Sequence, residues 1–175
     1  GNVWRFAATA GVGFASGTTT LLYTAKNEDG DRQPITSRFA VGRHPISAEG
    51  RIVFVGTGKY YETDDQDPTT AVIYNSMYGL WDRDDGSEIP SDVPRNTVLQ
   101  QQEIELEQSG TFDGNSFDVR VVSDNSITWV SRDFATPGNP WNACSTSGSC
   151  GWYLDLETVG EKVVTNSILR GGRLI

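Results

Sequence analysis

Two cysteines, one histidine and a surplus of carboxylates are what this sequence offers for chemistry. Cys144 and Cys150 flank a short polar stretch of Ser, Thr and Gly. A stretch of that kind bends back on itself, so the pair reads as a disulfide, which implies an oxidising compartment. The other reading, two thiols as half of a zinc site, is the weaker one. Zinc needs about four ligands, and the lone His44 is remote in sequence. Serine or thiol hydrolysis has little to stand on: one His, no Gly-x-Ser-x-Gly string, and cysteines that read as paired. His44, just before Pro45, reads as a loop residue. The string at 56–59 (GTGK) lacks the spacing and the Ser/Thr of a phosphate loop. The string at 11–17 (GVGFASG) is one residue too long for a dinucleotide fingerprint and has no helix to follow. The chain is therefore read as non-catalytic.

Charge narrows the classes further. With 14 Lys+Arg against 23 Asp+Glu the net charge is −9. Nucleic-acid binding needs clustered Lys and Arg, and so does docking on an anionic membrane surface. No apolar run reaches the ~18 residues of a membrane-spanning helix. Hydrophobic residues at 37% are enough for a buried core.

The elements that would position these residues read as strands. Val3 and Arg5 alternate with Trp4 and Phe6 over 2–6, and 7–20 is a Gly/Ala/Ser/Thr loop. A short strand or helical turn at 21–25 leads into a turn at 27–31, where Asn, Asp and Gly tolerate positive φ. Strand character follows at 34–41. The run at 51–56 (RIVFVG) is the clearest strand, apolar enough for burial on both faces. Further strands are expected at 71–81, 97–108, 117–123, 127–130, 152–156 and 162–169, with a terminal one after Gly171-Gly172. The insertions 82–96 and 133–150 are irregular. Nothing reads as a confident helix, so the fold class is all-β, with sandwich, barrel and propeller all open on strand count. Weak self-similarity favours the propeller. The segments 33–36 (QPIT) then 50–54 (GRIVF) are echoed by 162–165 (KVVT) then 171–175 (GGRLI). A chain that starts and stops inside strands also reads as a fragment of a larger protein.

Three strings carry a resemblance: 1–6 (GNVWRF); 50–61 (GRIVFVGTGKYY) with 74–82 (YNSMYGLWD); and 151–156 (GWYLDL) with 160–164 (GEKVV). In this order they resemble the C-terminal β-propeller of the PilY1/PilC family, tip-associated proteins of bacterial type IV pili. The segments 33–36 and 122–129 (VSDNSITW) are similar to it too. The resemblance is poorest over 84–115 and 134–149. It implies a seven-bladed, quinoprotein-like propeller, of which this chain (1–175) would be about three blades at roughly 50–60 residues each. It implies a non-catalytic part in pilus assembly, control of retraction and surface adhesion. The implied partners are minor pilins and the pilus tip, a host or surface receptor, and the remaining blades of the same protein. The implied location is extracellular, at the pilus tip or outer-membrane surface.

The resemblance also raises calcium, since members of that family can carry an Asp-rich loop. No stretch here matches the ligand spacing of such a loop. The nearest is 82–88, with Asp82, Asp84, Asp85 and Glu88 as candidate ligands; otherwise no cofactor is expected. For partner binding the candidates are Arg83, Trp141 and Asn142, because long loops on a rigid sheet are where contacts form. Two other functions compete: a quinoprotein-type dehydrogenase fragment, and a secreted glycan-binding module.

Overall fold

The computed structural model describes residues 1–7, 19–46, 49–67, 74–131 and 142–175. Strands dominate them: β1 (Asn2–Phe6), β2 (Thr19–Thr24), β3 (Ala40–Arg43), β4 (Arg51–Gly56), β5 (Ser76–Asp82), β6 (Gln100–Gln102), β7 (Ile104–Phe112), β8 (Asn115–Val122), β9 (Gly151–Asp155), β10 (Leu169–Arg170) and β11 (Arg173–Leu174). The only helical pieces among the described residues are two 3₁₀ turns, Thr63–Gln66 and Arg95–Thr97. No helix there is long and apolar enough to cross a membrane.

β3, β4, β5 and β9 form an antiparallel meander, and β6 adds in parallel at the edge beside β9. Four antiparallel strands in this order make a propeller blade. The blade's last strand, β9, arrives only after a long excursion, residues 83–150, which leaves from the end of β5. Both faces of the β3–β4–β5–β9 meander are apolar, because side chains alternate along strands that are apolar between their ends, whereas the edge strand β6 is three glutamines. One face carries Val53, Val55, Tyr78, Leu80 and Tyr153. Against it sit Val3, Leu22, Tyr23 and Ala25 from the β1–β2 pair and its end, in one hydrophobic cluster. Full burial of Leu80 or Val55 contributes about 1.5–3 kcal/mol each. On the other face Phe54, Gly79 and Trp152 lie in register across three strands. There a Cβ on Gly42 would meet Leu169 of β10, and one on Gly56 would meet Val163. The β1–β2 pair and the β10–β11 hairpin thus flank the five-stranded blade, and β7–β8 forms a fourth, separate sheet within the excursion between β6 and β9.

Several segments differ from their sequence reading. The strand expected over 34–41 starts only at Ala40, because Gln33–Phe39 spends its polar groups on the blade: Thr36 Oγ1 donates to the Gly58 carbonyl, 2.9 Å, and the Gly58 N–H to the Pro34 carbonyl, 2.7 Å. The strand at 97–108 is interrupted at Glu103, so that β6 joins the blade while β7 leaves it to pair with β8. At 127–130 there is only a bridge at Trp129 to Ser149, and at 162–169 only the short β10 appears. Thr19 and Thr20 belong to β2 rather than to the loop before it; 8–18 and 71–73 lie outside the described residues. The echo of 33–36 and 162–165 corresponds to structure. Each precedes the first strand of a hairpin, β3–β4 and β10–β11 respectively.

Candidate functional site

Polar side chains in the middle of a sheet face must be satisfied by one another, and here that requirement builds a joint. Ser76 and Tyr78 sit at alternate positions on β5, fully buried. Asp155 is opposite Ser76 and Tyr153 opposite Tyr78, on β9. Gln33, also fully buried, donates from Nε2 to the Tyr74 carbonyl (2.7 Å) and to Ser76 Oγ (2.8 Å), and accepts from the Tyr78 hydroxyl. The Lys26 carbonyl, 2.9 Å away, is a second acceptor within reach of the same Tyr78 proton. The 3₁₀ turn after Pro94 delivers Arg95, whose Nη2 donates to Asp155 Oδ2 at 2.6 Å and whose Nη1 donates to Ser76 Oγ at 3.0 Å. Its guanidinium lies over the Tyr153 ring, 4.2 Å from the centroid. Burial pushes the Tyr23, Tyr78 and Tyr153 hydroxyls up, so they remain protonated donors rather than acids.

Above this joint opens a cleft of about 510 Å³, floored by Arg95, Tyr153 and Asp155. Its rim carries Glu28, Asp29 and Asp92 on two turns, and Lys26, whose Nζ donates to the Ser91 carbonyl at 2.6 Å and ties those turns together. The arrangement can receive a polar, cationic group. Its one buried cation and its one floor carboxylate are committed to each other.

The residues singled out from sequence are placed as follows. Asp82 Oδ1 and Asp84 Oδ1 both lie 3.2 Å from Arg5 Nη1. Asp85 faces Arg83 Nε at 3.4 Å and accepts from the Ser87 hydroxyl at 2.6 Å. Glu88 accepts from Ser91 Oγ, 3.2 Å. The one point on which two of the four carboxylates converge is thus filled by a guanidinium, and among the described residues no three metal-ligating side chains form a group. As placed, the set is engaged with Arg5, Arg83, Ser87 and Ser91. Arg83, expected as a contact residue, is buried, with 6% of its side chain exposed. It holds Ser87 and the Asn142 carbonyl (2.9 Å), pinning one insertion to the other. Asn142 is exposed and donates from Nδ2 to Ser131 Oγ, 3.0 Å. Trp141 lies outside the described residues.

Cys144 and Cys150 are joined in a disulfide. It closes a turn in which Ser145 and Gly148 exchange backbone hydrogen bonds. It also reaches the core, because Cys150 is fully buried, with its N–H on the Val98 carbonyl (2.8 Å) and its carbonyl accepting from Trp81 N–H (2.9 Å). His44 lies in the connection after β3, as expected of a loop residue, but it is buried there between Trp81 and Trp129, each ring centroid 4.2 Å away, tilted to the first and edge-on to the second, and burial lowers its pKa. Sequence reasoning missed the Gln33, Ser76, Tyr78, Arg95 and Asp155 joint. Its members are scattered along the chain with no fixed spacing, and only Pro94 before Arg95 hinted at a fixed turn.

Comparison with known proteins places this geometry. The model of a family described as the PilY1 β-propeller domain matches residues 2–116. The type IV pilus biogenesis factor PilY1 of Pseudomonas aeruginosa strain UCBPP-PA14 is 36% identical over 143 residues, covering 81% of this chain and 12% of its own length. The type IV pilus biogenesis factor PilY1 homolog of Xylella fastidiosa is 26% identical over 187 residues, covering 99% of this chain and 11% of its own length. The crystal structure of the Pseudomonas aeruginosa PilY1 C-terminal domain superposes with a TM-score of 0.66 at 28% identity, covering 90% of this chain and 32% of that one. The chain therefore spans about an eighth of the length of the relatives it matches.

Proposed function

This chain belongs to the PilY1 β-propeller family, and from that premise we propose that it is part of a non-catalytic subunit of the type IV pilus tip. Its work there is to support pilus assembly, to oppose retraction and to contact surfaces. The observation that carries this reading is a blade with apolar sheets on both faces, joined to relatives named as pilus biogenesis factors. Such a blade is a wedge within a ring, and the seven-bladed ring expected from the resemblance would be completed by other blades of the same protein. The two insertions supply the variable surface. Arg83 clamps them together, and Asp92 from one of them stands on the rim of the acidic cleft. Minor pilins and a surface receptor are the partners this surface would meet, outside the cell. The disulfide supports that location, because such bonds persist in oxidising compartments.

The test is made in bacteria producing the full-length protein. Glu28→Lys with Asp92→Lys reverses the rim charge at exposed positions and leaves the core alone. Fewer surface pili or weaker attachment, with the purified variant melting normally, is the expected result. Wild-type piliation and attachment would overturn this reading.

A further inference from the structure

The cleft above the joint is walled by negative charge that its own residues leave uncompensated. Glu28 and Asp29 stand on one turn and Asp92 on the other, and none of the three has a hydrogen bond or an ion pair among the described residues. The two cations of the cleft are engaged elsewhere: Lys26 Nζ on the Ser91 carbonyl, and Arg95 on Asp155 and over the Tyr153 ring. A smaller adjoining cleft of about 340 Å³ shares Glu28 and Asp29 and adds Glu157, which also has no partner among the described residues. The turn that presents Glu28 and Asp29 is braced from both sides. The Asp31 N–H donates to Asn27 Oδ1 at 2.7 Å, and the Asn27 N–H to the Asp31 carbonyl at 2.9 Å. Carboxylates on solvated turns are by themselves ordinary surface. Tyr153 sets these apart. It is 3% exposed, it lines the cleft, and its hydroxyl has no hydrogen-bond partner among the described residues. Buried polar groups are nearly always paired, so an unpaired one at the floor of a cleft is free to meet a ligand. Burial raises its pKa, Arg95 opposes the rise, and the Asp155 and Glu28 charges add to it. The hydroxyl therefore stays neutral, with lone pairs open to a donor.

We infer that this cleft binds a primary alkylammonium group, with the Tyr153 hydroxyl accepting one of its N–H bonds and Glu28, Asp29 and Asp92 supplying the counter-charge. A protonated amine has three donors and no acceptor. That matches a floor hydroxyl below carboxylates on two turns. A metal ion is the poorer occupant. It takes six or more oxygens at short range, and among the described residues no three carboxylates gather as a group. An anion would face the uncompensated carboxylates. The volume of about 510 Å³ lies within the range of small-ligand sites, and Val93 and Pro94 give the alkyl stem an apolar stretch of wall. A lysine side chain of a partner protein and a free diamine present the same group, and the test separates them. The inference deepens the reading of this cleft as a contact surface and rests on it for its biological setting, while the binding itself is measured without pili.

The test titrates the purified full-length protein with Nα-acetyl-lysine methylamide, with the same compound acetylated on its side-chain amine, and with cadaverine. Calorimetry gives the affinity, and hydrogen exchange over 26–31 and 91–96 gives the place. At least one of the two free amines should bind and slow exchange in both segments, and the tighter one identifies the source as a partner's lysine or a free amine. The acetylated compound, which lacks the charge, should bind at least about tenfold more weakly. Higher salt should weaken binding, as screened charges require. Glu28→Gln with Asp92→Asn, both at exposed positions, should abolish it. Tyr153→Phe should weaken it about tenfold, the loss of one hydrogen bond to a charged group. The melting temperature of that variant should stay within error, because the hydroxyl holds nothing else in the fold. No binding of either free amine, equal binding of the acetylated compound, or full affinity in Tyr153→Phe would each overturn the inference. The pilus reading keeps its own test: if neither amine binds and the Glu28→Lys, Asp92→Lys strain still loses attachment, the ammonium site alone falls.

Discussion

At the scale of single residues, two buried groups govern how the chain responds to solvent and substitution. His44 is held between Trp81 and Trp129, where burial disfavours its charged form. The unfolded chain therefore binds a proton here more readily than the folded one. Stability from this group is intact above about pH 6.5 and is lost as the pH falls below that value toward the folded pKa. Melting temperature should drop on acidification through this window, and His44→Phe should flatten that part of the profile when the two proteins are melted side by side. Arg95 is the second such group. Arg95→Met keeps much of the packing over Tyr153 but strands the Asp155 carboxylate beside Ser76. The cost should be about 3 kcal/mol, toward the low end for breaking a buried pair, because 26% of the Asp155 side chain still meets solvent. Urea unfolding that shifted by well under 1 kcal/mol would show that the joint carries no load. Neither role was legible beforehand. A lone His next to Pro and an Arg in an acidic segment read as loop residues until other elements close over them.

Elements show where local patterning sufficed and where it did not. The run at 51–56 is buried on both faces as its unbroken apolar character requires, and 2–6 buries Val3 while exposing Trp4 and Phe6. Strands on both sides of 113–114 were expected, yet their mutual pairing was not, although Asp113-Gly114 is a strong hairpin signal. Both residues take positive φ. Close packing of elements sets two expected outcomes. Gly79 opposes Trp152 across β5 and β9, and a Cβ there would collide with the indole ring. Gly79→Ala should cost about 1–3 kcal/mol through forced repacking, measured by chemical unfolding with Trp152 fluorescence as the local reporter. Replacing both cysteines by Ser should cost about 2 kcal/mol, the entropy of so short a closed loop. It should also speed amide exchange at Cys150 and Trp81, where the disulfide-closed turn meets the blade.

For the molecule as a whole, the question is what covers the sheet faces. An apolar groove of about 570 Å³ runs between Met77, Trp152 and Leu154 on the blade and Leu174 on β11, with Trp129 at its side. In the proposed ring this groove is filled by further strands of the neighbouring blade. The 175-residue chain by itself should therefore bind a hydrophobic dye, and the same sequence within the full-length protein should not; equal dye binding in both would count against closure. Sequence alone determined the all-β class, the apolar strands of the blade, the pairing of the two cysteines and, through its family strings, the membership that comparison bears out. These are properties of neighbouring residues: period-two alternation, turn residues and short loops act over a few positions. Tertiary structure alone decided that Arg83 is a buried clamp, that Arg5 occupies the point where Asp82 and Asp84 meet, and that Gln33, Ser76, Tyr78, Arg95 and Asp155 form one joint. Those outcomes depend on which strands become neighbours, and desolvation assigns partners to polar groups only after the strands have packed.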